Sequence, residues 1–233
     1  MKKIRIIGIN VGSGESSITG RGFFNSKDKT FCYIPIKEES KQRIKFTYRD
    51  LKNPYISKEV LDLPCHYDPE FKTFTYGHIK RGFGDQILYK PTLLDDCDVY
   101  LFFYSTLNID KNPKKWGIFI IGFFEVEKIE NVTDFTNEEI FSLIDFKDNA
   151  HIRREEPFKK NKKKLLIKGK NNSKRFTYAI QLSKIDDPTE LSPQFVNLIT
   201  TTSGKKIKKS KGLHRYVFYS DNPIFLEMLK NQE

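Results

Sequence analysis

The chain has 233 residues, a net charge of +11, 38% hydrophobic residues and 14% aromatic residues. That apolar content is enough for a substantial core, which excludes disorder for the bulk of the chain, and the abundance of Phe and Tyr favours strands. Three cysteines at wide spacing, Cys32, Cys65 and Cys97, make no disulfide framework and suit a reducing compartment, while the longest apolar run, residues 116–124 (WGIFIIGFF), is too short to cross a bilayer as a helix.

Residues 3–9 form an apolar run that predicts a buried strand entering a loop at Gly12 and Gly14. Arg5 and Asn10 interrupt the opening MKKIRIIGIN and no small-residue cleavage site follows, which argues against a signal peptide and for a cytoplasmic protein. Gly12, Gly14, Gly20 and Gly22 could let backbone amides approach a phosphate. However, no Gly-Lys-Ser/Thr triplet follows, and Ser17 stands where a dinucleotide fingerprint needs its third glycine. A tight turn accounts for the same glycines, and Arg21 is the residue there able to fork onto a phosphate. Residues 30–36 (TFCYIPI) predict a second strand, ended or placed at an edge by Pro35. Residues 66–91 show little periodicity and predict a structured loop holding His66, Asp68, Tyr76 and His78.

Residues 98–107 (DVYLFFYSTL) and 117–129 (GIFIIGFFEVEKI) predict the central antiparallel hairpin, joined through Asn112-Pro113 and buried on both faces. Residues 137–146 predict a short amphipathic helix capped by Asp134 or Thr136. Further strands are expected at 165–167, 176–182 and 216–219, and a closing helix at 222–230 with Pro223 in its first turn. The fold class is therefore α+β: one β-rich mixed domain over residues 1–233 with a central antiparallel sheet.

Two short tracts hold the excess positive charge. Residues 159–175 carry nine basic residues and no acid, including Lys162, Lys163, Lys164, Lys174 and Arg175. Residues 204–215 carry six, including Lys205, Lys206, Lys208, Lys209 and Arg215. Such concentration predicts a face for a polyanion, above all nucleic acid, although solvated basic loops have the same composition. Tyr104 and Trp116 could offer ring faces to a splayed base, with Lys114 and Lys115 beside the Trp, and a core-packed Trp is the competing account. Asn149, His151, Arg153 and Arg154 form a polar group expected at the surface, able to read base edges or phosphates. His66 and Asp68, with Tyr76 nearby, could do general acid and base work, or simply form a turn. Cys65, His66 and His78 are too few and too irregularly spaced for zinc, so no metal is expected, and the residues name no cofactor.

The order of GRGFF, FCYIPIKEE, HYDPEFKTFTYG, DVYLFFYSTL, GIFIIGFFEVEKI, NAHIRR and GKKIKKSKGLHR resembles the nucleotide modification associated domain family of the third type, over nearly the whole chain. The resemblance implies a role tied to modified bases, without a settled reaction or catalytic set. The central hairpin is also similar to the core of PUA-like modules. The first expectation is a nucleic-acid-binding protein, gripping DNA or RNA through the basic tracts and reading a base in an aromatic pocket. The alternatives are an enzyme modifying a nucleobase or nucleotide, with His66, Asp68, Tyr76 and Arg21 as its polar set, and an interaction protein docking an acidic partner. No membrane partner is expected, and the oligomeric state is not read from the sequence.

Overall fold

Two strands form the spine. In the computed structural model, which describes residues 2–12, 19–80, 86–158, 162–184, 187–201 and 218–233, β7 (Cys97–Ile109) and β8 (Asn112–Asn131) pair antiparallel, in register from Tyr100 opposite Glu125 to Ile109 opposite Asn112. The turn is Asp110-Lys111 alone, both at positive φ, as a two-residue hairpin connection requires. Asn112-Pro113 is therefore not the turn. The register jumps from Trp116 opposite Asn108 to Asn112 opposite Ile109, so Pro113, Lys114 and Lys115 bulge out of the ladder, where a proline without a donor is tolerated.

The other strands are β1 (Lys3–Asn10), β2 (Phe23–Phe24), β3 (Phe31–Cys32), β4 (Ile36–Lys37), β5 (Cys65–His66), β6 (Thr75–Ile79), β9 (Lys164–Gly169), β10 (Lys174–Gln181), β11 (Thr200–Thr201) and β12 (Phe218–Ser220). They build a mixed sheet in the order β11-β12-β1-β7-β8-β9-β6, with β10 added to β8, and β2 and β3 added beside β7. β1 and β2 run parallel to β7, so the central hairpin is antiparallel within a sheet that is not purely so. β4 and β5 make a separate two-stranded ladder. The stretch expected as loop, 66–91, thus contains β6, and the 159–175 tract contains β9 and the start of β10.

Alternation along β7 feeds two cores. Val99, Leu101, Phe103 and Leu107 join one cluster with Ile7, Ile9, Phe124 and Tyr76. Tyr100, Phe102 and Tyr104 join a second, closed by Phe195 of α3 (Pro193–Val196) and by Phe225 and Leu229 of α4 (Pro223–Asn231). This two-sided burial explains why β7 reads as a continuous apolar run. Gly8 lies opposite Phe102 in the ladder, and a β-carbon there would meet the Phe102 ring at 2.4 Å, so no larger residue fits.

A third cluster of Val132, Ile140, Phe146, Ile152, Phe158 and Leu166 anchors the segment after β8. Here α2 (Asn137–Phe141) starts at a capping box between Thr136 and Glu139, ends earlier than the pattern suggested, and is followed by a 3-10 turn at Ile144–Phe146. Ile152 and Phe158 fix the intervening loop against the sheet. No helix among the described residues is long and apolar enough to cross a membrane.

Candidate active site

Three distant stretches meet at one cleft. The ladder between β4 and β5 sets Ile36 opposite His66 and brings Glu38 against the imidazole. The chain then passes through Asp68, whose peptide to Pro69 is cis, and returns as β6. The third stretch is the loop held by Ile152 and Phe158, which turns on itself: the amides of His151 and Arg153 donate to Asn149, and that of Arg154 to the His151 carbonyl.

Each side chain is fixed from behind. The backbone N–H of Gly77 donates to both oxygens of Asp68, at 3.1 and 3.2 Å, and the Asn149 amide donates to Oδ1 at 3.3 Å. Glu38 Oε2 accepts from His66 Nδ1 at 2.8 Å and from Arg154 Nε at 2.8 Å. His151 Nδ1 lies 3.0 Å from the Pro157 carbonyl oxygen, and its ring stacks on Phe158 at 4.3 Å between centroids. The Arg154 guanidinium also spans the two imidazoles, 3.2 Å from His66 Nδ1 and 3.1 Å from His151 Nδ1. For both rings the nearest Nδ1 neighbour is an acceptor, which favours Nδ1–H and turns Nε2 toward Asp68. His66 Nε2 is 3.9 Å and His151 Nε2 3.5 Å from Asp68 Oδ2.

Glu38, His66, Asp68 and His151 are all buried. Burial alone would raise the Glu38 carboxyl, but the hydrogen bonds from His66 and Arg154 outweigh it and hold the group well below the usual carboxylate range. Burial drives His151 down to about 4, against the opposing pull of Asp68, so its imidazole is neutral at physiological pH. The cluster opens on a cleft of about 480 Å³ bordered by Asn10, Val11, Gly12, Ile36, Tyr76, Gly77 and Ile79. Gly12 holds φ +95°, a conformation L side chains rarely adopt, where the chain leaves β1 along the cleft.

His66, Asp68 and Tyr76 line one cleft, together with His151 and Arg154, which the sequence had suggested as nucleic-acid contacts. The expectation that the 149–154 group is too polar for the interior is corrected: Asn149, His151 and Arg153 are buried, the first two hydrogen-bonded to Asp68 and to the Pro157 carbonyl. Arg153 lies with its guanidinium 4.0 Å from the centroid of Phe46. Tyr104 is 1% exposed in the second core and presents no ring face. Trp116 is half-buried against the same core with Arg21 5.3 Å over its ring, so neither residue borders this cleft. Lys114 and Lys115 are exposed on the bulge.

Of the first basic tract, Lys162 and Lys163 are exposed, and Lys164 opens β9 directly opposite Ile79 at the cleft's border. Lys174 reaches the carbonyl of Lys230 at 3.0 Å. Arg175 lies over Phe31 and borders a second cleft of about 460 Å³ with Phe46, Tyr55, Tyr67 and Phe71. Lys205, Lys206, Lys208, Lys209 and Arg215 lie outside the described residues.

Sequence reasoning missed Glu38 and Gly77. Both lie within motifs that carry the family resemblance, Glu38 in FCYIPIKEE and Gly77 at the end of HYDPEFKTFTYG, but neither was assigned a role at the site. Cys65 and His78 do not join the cluster, and the donors that converge are His66, Asp68 and His151. The expectation of no metal-ligating set took local spacing as its guide, and His151 arrives from a different part of the chain.

Fold and site together define a β-rich α+β protein with enclosed acid–base groups opening on a polar cleft, the kind of arrangement from which active centres are built. The family model for nucleotide modification associated domain 3 matches residues 5–220, and the chain belongs to that family, whose description suggests a role in nucleotide modification. No curated protein and no solved structure matches the chain, so the comparisons add nothing to the expected likeness to PUA-like modules.

Proposed function

We propose that the chain is an enzyme that modifies a nucleotide or nucleobase in the cleft of His66, Asp68 and His151. The observation that carries this reading is the convergence of two buried imidazoles on one fixed carboxylate, at the wall of a cleft large enough for a base with its sugar. Asp68 and the two imidazoles would move protons at the reacting base, Tyr76 would contact the substrate from the floor, and Glu38 and Arg154 would keep the imidazoles in place. Lys162, Lys163 and Lys164, beside Ile79, would draw in the phosphates of a nucleotide or nucleic acid.

The test is chemical. Nucleosides from cells making the wild-type chain are compared by mass spectrometry with those from cells making Asp68→Asn or His66→Ala. A mass-shifted nucleoside is expected with the wild type and should be lost in both variants. An identical nucleoside profile in all three overturns the proposal.

A second reading, a binding protein that holds a base without altering it, draws support from the other cleft, where Phe31, Tyr55 and Tyr67 offer rings and Arg175 a cation. Nucleic-acid binding that survives Asp68→Asn but falls in Arg175→Ala would favour it.

A further inference from the structure

We infer that His66 Nε2, His151 Nε2 and Asp68 Oδ2 bind one divalent first-row transition metal ion, with the remaining coordination positions facing the cleft. The proposal deepens the enzymatic reading above by naming the cofactor class of the same cleft.

The first argument is a gap. The three donor atoms lie within 4.8 Å of one another, with Asp68 Oδ2 at 3.5 Å from one imidazole and 3.9 Å from the other. Those separations exceed a good hydrogen bond, so the imidazoles do not satisfy the carboxylate directly. Metal bonds of about 2.1 Å set cis or tetrahedral donors roughly 3.0 to 3.5 Å apart. The His151–Asp68 pair already has that spacing, the His66–Asp68 pair is 3.9 Å apart, and the 4.8 Å span of the set means that the two imidazoles must draw together by about an ångström on the ion.

The second argument is the support behind the donors. A metal-bound imidazole is held by giving its other N–H to a carboxylate or carbonyl, which fixes the tautomer and aims the lone pair. His66 faces Glu38 at 2.8 Å and His151 faces the Pro157 carbonyl at 3.0 Å through Nδ1. Asp68 Oδ1 accepts from Gly77 and Asn149, and Oδ2 shares the Gly77 N–H at 3.2 Å, which holds the carboxylate while leaving Oδ2 a further lone pair. All three donors are thereby presented to one point by groups that come from different parts of the chain.

The third argument is the donor set, two ring nitrogens and one carboxylate oxygen. Two imidazoles and one carboxylate suit iron(II), manganese(II), cobalt(II) or zinc rather than magnesium or calcium, which prefer oxygen.

The experiment uses the full purified chain, stripped with a chelator and dialysed, without any nucleic acid. Cobalt(II) and zinc are titrated separately, following cobalt absorption and heat of binding. One ion per chain is expected, with binding lost in Asp68→Asn and in His151→Gln, and weakened 10- to 100-fold in Glu38→Gln. Circular dichroism establishes that each variant is folded. Should a variant unfold, broadening of the His66 and His151 ring signals by cobalt(II) in the wild-type chain decides the matter. Absence of saturable binding, or equal binding in wild type and Asp68→Asn, overturns the inference. Metal binding without altered nucleosides leaves the metal site standing and removes the enzymatic reading, and altered nucleosides without metal binding do the reverse.

Discussion

A β-carbon on Gly77 would stand 2.1 Å from Cδ2 of His151. The imidazole lies against bare backbone, and the same residue's N–H holds Asp68, so one glycine sets the position of two members of the cluster. Gly77→Ala should push His151 out of place, costing about 1 to 3 kcal/mol of stability, the usual range for overpacking. Nucleoside modification should fall to the level of His151→Gln. Urea unfolding and nucleoside mass spectrometry on the same variant check both, and wild-type values in each would show that the ring moves aside without consequence.

Glu38→Ala leaves the partly buried Arg154 and the buried His66 without their shared carboxylate. Breaking a buried pair from one side costs about 3 to 5 kcal/mol. The exposed pair Lys41–Glu155 makes the comparison, since Lys41→Ala should cost less than about 1 kcal/mol. Denaturant midpoints of the two variants should differ plainly, and equal midpoints would mean that the Glu38 pair is not structural.

Trp116→Ala should act on stability. The ring is half-buried against the second core, so truncation should cost about 2 kcal/mol, below the 3 to 5 of a fully buried aromatic residue. Affinity of the folded protein for nucleic acid is expected to stay at the wild-type value. A stable variant with weakened binding would instead restore Trp116 as a stacking residue.

The exposed head of the first tract carries a salt signature. If Lys162, Lys163 and Lys164 meet phosphates, their joint change to Gln should reduce the slope of log K against log salt by about 2 to 3, at roughly 0.9 per phosphate lost. Fluorescence anisotropy between low and moderate salt measures it. An unchanged slope would assign those lysines to solvent.

Cys32, Cys65 and Cys97 are buried free thiols, and desolvation raises Cys32 and Cys65 above the usual thiol range despite nearby cations. The native protein should react with Ellman's reagent far more slowly than the unfolded chain, which should release three equivalents. Rapid labelling of the native state would place a thiol at the surface.

What the sequence revealed follows from the reach of each signal. The hairpin of β7 and β8 was legible because an uninterrupted apolar run is a local property that a two-sided sheet demands. His66, Asp68 and Tyr76 were legible as ionisable groups in a stretch with little periodicity. Asn149, His151 and Arg153 were read as surface because charge density usually means exposure. Their burial depends on Asp68, Phe46 and Phe158, partners that local spacing does not disclose. Glu38 was invisible for the same reason. The Asp110-Lys111 turn was missed because Asn112-Pro113 is the stronger breaker by composition, whereas the ladder accommodates it as a bulge.

Among the described residues β6 is the outermost strand of its side of the sheet, with β9 as its neighbouring strand. The amide of Gly77 that grips Asp68 therefore belongs to the strand's open edge. An unclosed edge is normally where a sheet recruits another strand, and here Asp68 and Glu70 meet it, Glu70 by exchanging backbone hydrogen bonds with Thr75, while Asn149 and His151 of the following loop pack on Asp68 and Gly77. Local opening of that loop would loosen the hold on Asp68 and dismantle the cluster without melting β7 and β8. Amide exchange at Gly77 should therefore track the loop's own opening equilibrium, and any molecule that seals the cleft would slow that exchange while the centre of the sheet keeps its pace.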